Sequence, residues 1–267
     1  MLMLYKAKEL TLKIQDTQFD YITFGSGTKP LIMIQGLNTR GIKGSALPLA
    51  YMYRIFAKDY TVYLFDRRPN VQKGITIRDM ASDIATAMDL LGITKADVFG
   101  VSQGGMIGQY LAIDRPDLVH KLVLAVTLSK NNDTVTKVIN SWVEMAQLGT
   151  MKELISDMAE KMYSDAYVTK YRLFMPLLTY LQKPKDVERF VILARSCLTC
   201  NAYELLDKIK CPVLVLGGRQ DNVVTGAAAE EIAAKIGCRL HMYENLGHAA
   251  YEEAKDFNQT VYDFLRM

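Results

Sequence analysis

A chain of 267 residues, half of them hydrophobic, holds enough apolar material for one large core, with or without a small insertion. Its 32 basic and 29 acidic residues leave a formal net charge of +3, and no basic run or aromatic-basic alternation tracks a phosphate backbone, so nucleic acid is not an expected partner. No apolar run approaches the ~20 residues that span a bilayer, and the first residues, Met-Leu-Met-Leu-Tyr-Lys-Ala-Lys-Glu, lack the parts of a secretory signal, so a soluble cytoplasmic protein with no membrane partner is expected.

Short strand patterns alternate with helical ones through the first half, the signature of βαβ units around a mostly parallel sheet. Residues 11–14 and 19–24 bunch β-formers before Gly25-Ser-Gly-Thr-Lys-Pro30 breaks the pattern, as in an antiparallel entry hairpin. Leu31-Ile-Met-Ile34 is apolar throughout, too short for a helix and bounded by Pro30 and Gly36, as a strand covered on both faces requires. Gln35-Gly36-Leu37-Asn38 ends it. Helical character over 47–58 leads to a second buried strand at 60–65, closed by Asp66-Arg-Arg-Pro69.

Residues 76–91 carry the clearest helical pattern. Thr76 stands at the cap, Asp79 at the capping-box position, and Ile77, Met80, Ile84, Met88 and Leu91 recur at three- and four-residue steps. A strand at 97–101, a helix after Ser102 ending near Arg115-Pro116, and a buried strand at 122–126 follow.

From 128 to 206 the alternation stops and helical patterns dominate, with breaks at Gly149-Thr150, Pro176 and Pro184. The expectation is an inserted helical subdomain over 128–206 on a core made of 1–127 and 207–267. Its Met, Tyr and Leu residues, as in the stretch 171–181, suit a private core and a pocket lining alike, and no spacing assigns Trp142 or the tyrosines to either. A strand at 212–216, the turn Gly217-Gly-Arg-Gln-Asp221, a helix over 226–236, a strand at 239–243, the loop Glu244-Asn-Leu-Gly-His248 and a helix over 255–265 restore the rhythm.

Four cysteines, at 197, 200, 211 and 238, lie in a chain too large to need disulfide staples. Cys197 and Cys200 form a single C-x-x-C in a helical-looking segment. With no second such pair, and histidines at 120, 241 and 248 not spaced for a metal, free and mostly buried thiols are expected, with no metal or other cofactor.

Chemistry gathers at Gly100-Val-Ser-Gln-Gly104, a Gly-x-Ser-x-Gly pattern between strand and helix in which the chain reverses sharply and pushes the Ser102 hydroxyl out at the strand's C-terminal end. A serine hydroxyl is a poor nucleophile at neutral pH, so this reading demands a general base, a group to orient that base, and two donors for a developing oxyanion. His120 is expected just before a strand and His241 inside one, positions that face solvent or pack. His248, in a polar glycine-containing loop after the last strand, is placed to hang over the sheet edge and take the proton.

Asp221 is placed to hold the other ring nitrogen of His248, its bland alternative being a turn or helix-capping aspartate. Glu230 and Glu231 fall in a helix, Glu244 adjoins a strand end, and Glu252 and Glu253 open the last helix, so each suits the role less well. The expected oxyanion donors are the backbone N–H of Gln103, at a helix N-terminus, and that of Leu37, where Gly36 lets the loop approach the substrate.

With Ser102, Asp221 and His248 in this order, the sequence resembles an α/β-hydrolase of the serine carboxylesterase kind along nearly its whole length. The marks are Gly-Val-Ser-Gln-Gly-Gly at 100–105, Pro-Val-Leu-Val-Leu-Gly-Gly-Arg-Gln-Asp at 212–221 and Leu-Gly-His at 246–248. The resemblance implies an α/β fold with an eight-stranded, mostly parallel sheet and a helical cap inserted after the sixth strand. It implies cleavage of small or medium, partly apolar carboxylic esters through an acyl-enzyme, with no cofactor. The same scaffold also hosts lactonases, thioesterases, C–C bond hydrolases, cofactor-free haloperoxidases and ligand receptors. Two stretches depart from the family's usual wording: Gln35-Gly36 stands where many relatives carry His-Gly, and Asp66-Arg-Arg-Pro-Asn-Val stands where Asp-x-Arg-Gly-x-Gly-x-Ser is usual.

Overall fold

The computed structural model describes residues 4–14, 17–174 and 183–267. Its strands are β1 (Lys8–Ile14), β2 (Thr17–Gly25), β3 (Lys29–Ile34), β4 (Tyr60–Phe65), β5 (Ala96–Val101), β6 (Val119–Ala125), β7 (Val213–Gly218) and β8 (Arg239–Tyr243). They form one eight-stranded sheet in the order β1-β2-β4-β3-β5-β6-β7-β8. The β1–β2 hairpin is antiparallel and β2 joins β4 antiparallel, while every pairing from β4 through β8 is parallel. The fold is therefore α/β, with the expected entry hairpin at one edge.

The apolar run of β3 is explained by its two faces. Ile32 and Ile34 pack in one cluster with Met80, Ile84 and Met106, and Leu31 and Met33 pack in the other with Phe56, Phe99 and Phe257. Successive side chains of a strand point to opposite faces, so burial on both sides demands apolar residues at every position.

Helix α1 (Ala46–Met52) links β3 to β4, and α2 (Ile77–Leu90) links β4 to β5. The Thr76 hydroxyl accepts from the Asp79 N–H at 3.1 Å and the Thr76 N–H donates to Asp79 Oδ2 at 2.9 Å, so the capping box is formed. Helix α3 (Gln103–Asp114) follows β5 directly, and all of its residues except Asp114 are buried. Between β6 and β7 lie α4 (Asp133–Leu148), α5 (Met151–Met162), α6 (Asp165–Tyr171) and α7 (Val187–Cys197). Gly149, at φ 76°, ends α4 where the Gly-Thr break is read. Among the described residues, α8 (Gly226–Ile236), α9 (Ala250–Glu253) and α10 (Phe257–Arg266) follow β7 and β8. No helix of the described residues is long and apolar enough to cross a membrane.

Three expectations shift. The helix expected over 47–58 ends at Met52 and continues as a tighter 3-10 turn, Arg54–Phe56. Tyr53 and Phe56, three residues apart and both buried, reach one face in that tighter turn. Strand β6 starts at Val119 rather than 122, so His120 lies inside it, its Nδ1 2.7 Å from Asp97 Oδ1 on the neighbouring strand. The polar His120-Lys121 pair hid that strand's start. The closing helix lies near its expected place, at Phe257–Arg266, but Glu252 and Glu253 do not open it: they end the short α9, after which Ala254 is extended (φ −75°, ψ 119°). Residues 175–182, which hold the Pro176 break and most of the 171–181 stretch, lie outside the described residues.

The chain passes from β3 outward to β4 and then crosses back to β5 on the other side of β3. Such a reversal leaves a crevice at the C-terminal strand ends, where ligands bind in open α/β sheets. Ile34 pairs with Gly100 across it, so the loop after β3 and the bend after β5 are neighbours.

Candidate active site

Ser102 occupies the bend between β5 and α3 with φ 54° and ψ −119°, a conformation that L-residues adopt only when their surroundings hold them there. The Ser102 N–H donates to the Ala125 carbonyl at 2.8 Å, and the Ser102 carbonyl accepts from Gly105 and Met106 N–H and from the Thr127 hydroxyl at 2.7 Å. The flanking glycines are required by contact. A Cβ on Gly100 would fall 2.3 Å from the Gly104 carbonyl oxygen, and one on Gly104 only 1.9 Å from that of Ile34.

Ser102 Oγ lies 2.9 Å from His248 Nε2, and His248 Nδ1 lies 2.8 Å from Asp221 Oδ2. The other carboxylate oxygen of Asp221 accepts from the Val223 and Val224 N–H groups at 2.8 and 2.9 Å, which fixes the carboxylate in its turn. Asp221 and His248 are both buried, and His248 reaches the crevice from the loop after β8. Three residues far apart in sequence thus meet at one sheet edge. His120 and His241 do not join them: His120 contacts Asp97, and His241 packs edge-on against Tyr243.

The backbone N–H of Gln103 opens α3, and that of Leu37 lies in the loop after β3; neither donates to an acceptor among the described residues. The Gln103 side chain, whose partners no sequence pattern signals, is fully engaged. Its Nε2 donates to the Leu193 carbonyl at 2.8 Å, to Ser196 Oγ at 3.2 Å and to Cys197 Sγ at 3.3 Å. Thr127 was equally invisible, since a threonine after a strand carries no signal of its partner.

A cavity of about 40 Å³ opens on Ser102 and His248. Leu37 comes from the loop after β3, Met106 from α3, Val135, Ile139 and Trp142 from α4, and Met158 and Met162 from α5, with Val223, Val224, Cys197 and Tyr251 completing the lining. Trp142 is fixed by its ring N–H, which donates to Asp157 Oδ2 at 2.7 Å. Burial pushes the Cys197 thiol up to about 11, so it stays protonated at neutral pH. Burial, reinforced by Glu252, likewise holds the Tyr251 phenol protonated.

Comparison with known proteins agrees with this fold. A family model described as alpha/beta hydrolase fold matches residues 29–148. The chain is 24% identical over 260 residues to 3-oxoadipate enol-lactonase 2 of Acinetobacter baylyi, covering 94% of each chain. It is 28% identical to 2-hydroxy-6-oxononadienedioate/2-hydroxy-6-oxononatrienedioate hydrolase 2 of Pseudomonas putida, covering 94% of this chain and 92% of that one. Among solved structures, MGS-M2, an alpha/beta hydrolase enzyme from a Medee basin deep-sea metagenome library, superposes with a TM-score of 0.88 at 20% identity over 97% of this chain and 98% of that one. The sheet order, the serine bend at the reversal point and these likenesses together give the chain the α/β-hydrolase fold.

Proposed function

We propose that this protein is a serine hydrolase that cleaves carboxylic esters with a small, apolar acyl group. The observation that carries the reading is the continuous contact from Ser102 Oγ through the His248 ring to Asp221, opening on an apolar cavity. His248 Nε2 takes the proton as Ser102 Oγ attacks the ester carbonyl, and Asp221 holds the ring in the required tautomer and stabilises the imidazolium. The Gln103 and Leu37 N–H groups receive the oxyanion. Collapse of the tetrahedral adduct expels the alcohol, which takes the proton from His248, and leaves an acyl group on Ser102. Water, deprotonated by His248, then releases the acid and restores the hydroxyl.

The helices between β6 and β7 act as a cap in this reading, because α4 and α5 supply much of the wall over the serine. A cavity of about 40 Å³ admits a short acyl chain, and Met106, Met158 and Met162 have the torsional freedom to enlarge it modestly. Two relatives are named for adipate- and dioate-derived substrates. Here the described lining holds no lysine or arginine, and an uncompensated carboxylate in it would cost several kcal/mol. A neutral substrate fits better. Four free thiols suit a reducing cytoplasm as the working compartment.

The enol-lactonase relative favours a second reading, a small neutral lactone. The steps are the same, the leaving alcohol staying tethered to the acyl group. A panel of p-nitrophenyl acetate, butyrate and octanoate with simple γ- and δ-lactones separates these readings. The expected result is fastest turnover on the shortest ester or on a lactone, all of it lost in Ser102→Ala. Full activity in that variant would overturn the mechanism, and preference for octanoate would overturn the size argument.

A further inference from the structure

Arginine is almost never buried without a charged partner, yet Arg67 is 4% exposed and points at neutral groups. Its Nη2 donates to the carbonyl oxygens of Gln35 and Gly36, the latter at 3.2 Å, and to Gln103 Oε1 at 3.0 Å. Its Nε and Nη1 are buried and meet no acceptor among the described residues. The adjacent carboxylate of Asp66 is turned to other donors, the N–H groups of Ile42 and Arg67 and the guanidinium of Arg189. On the other side, Arg68 forks onto Asp83. Arg67 is thus held between two anchored neighbours.

The consequence follows from peptide geometry. In a trans peptide the C=O and N–H point to opposite sides of the C–N bond, and this chain has no cis bond among its described residues. Holding the Gly36 carbonyl against Arg67 therefore turns the Leu37 N–H to the opposite side. Gly36 itself lies against Ser102: a Cβ added to it would sit 3.2 Å from Ser102 Cβ and 3.7 Å from Oγ. The same guanidinium nitrogen grips Gln103, the residue whose N–H is the other candidate donor. The Gln103 amide continues the chain of contacts to Leu193, Ser196 and Cys197 at the C-terminal end of α7.

We infer that Arg67 is the positioning residue of the oxyanion hole: it orients the Leu37 N–H, ties it to Gln103, and adds a buried positive charge behind both donors. Burial lowers its pKa to about 10, which leaves it charged at neutral pH. The two stretches that depart from the family's usual wording, Gln35-Gly36 and Asp66-Arg67-Arg68-Pro69, are then the two sides of one contact. This rests on the reading of Ser102 as nucleophile.

The test compares the full-length wild type with Arg67→Met and Arg67→Lys, using p-nitrophenyl acetate and two inhibitors. One is a short trifluoromethyl ketone, which forms a tetrahedral oxyanion on serine; the other is a short acyl amide, which resembles only the ground state. In Arg67→Met, kcat is expected to fall about a hundredfold with KM changed by no more than about twofold. Affinity for the ketone should fall in parallel while that for the amide holds, and added guanidinium should restore part of kcat. Arg67→Lys should fall between, and it carries the same comparison if Arg67→Met does not fold. A change confined to KM, equal losses of ketone and amide affinity, or wild-type behaviour in both variants would overturn the inference. A wild type that neither cleaves the ester nor takes the ketone would instead overturn the hydrolase reading itself.

Discussion

At the scale of single residues, the site depends on groups held in positions they would not adopt alone. Ser102 has a positive φ because Ala125, Thr127 and the first turn of α3 hold its backbone on both sides. Asp221 divides its two oxygens, one toward His248 and the other toward two backbone N–H groups. That division predicts the behaviour of Asp221→Asn. The amide oxygen can keep the two backbone N–H bonds, so the turn survives, while its NH2 faces His248 Nδ1 and stabilises the wrong tautomer. We expect kcat to fall about 10⁴-fold with little change in melting temperature. Loss of folding together with activity would show that Asp221 serves the turn alone.

At the scale of elements, the legible parts were those whose cause is local. The capping box of α2 and the doubly buried run of β3 are written in neighbouring residues, and both elements lie where they were read. The order of serine, acid and histidine could be read because each follows a strand, and all parallel strands end at the same edge. What stayed hidden depends on distant partners: Arg67 meets residues more than thirty positions away, and β6 begins at Val119 because it pairs with Ala96. Cys197 and Cys200, at the end of α7, are a further case. Burial pushes their thiols from the ordinary 9.0 up to about 11 and about 12. The unfolded chain releases these protons near pH 9.0 while the folded chain keeps them. Their contribution to stability is therefore whole below pH 9.0 and is lost as pH rises toward about 12. Replacing both by alanine should flatten the fall of melting temperature between about pH 9 and about pH 11 relative to wild type. An unchanged slope would show that the thiols are not buried as described.

At the scale of the whole molecule, the sheet's order decides where chemistry can occur. The reversal between β3 and β5 brings the Gln35 to Asn38 loop beside the serine bend, and the loops after β7 and β8 bring Asp221 and His248 to the same rim. The helices between β6 and β7 contribute Val135, Ile139, Trp142, Met158, Met162 and Cys197 to the cavity wall, so the serine bend and the width of the cavity beside it are set by different parts of the chain. Acyl transfer through Ser102 is best checked by intact-protein and peptide mass measurement after treatment with a fluorophosphonate probe. One adduct per chain is expected, on Ser102, absent in Ser102→Ala and strongly slowed in His248→Ala. An adduct on another residue, or a wild type left unmodified, would contradict it.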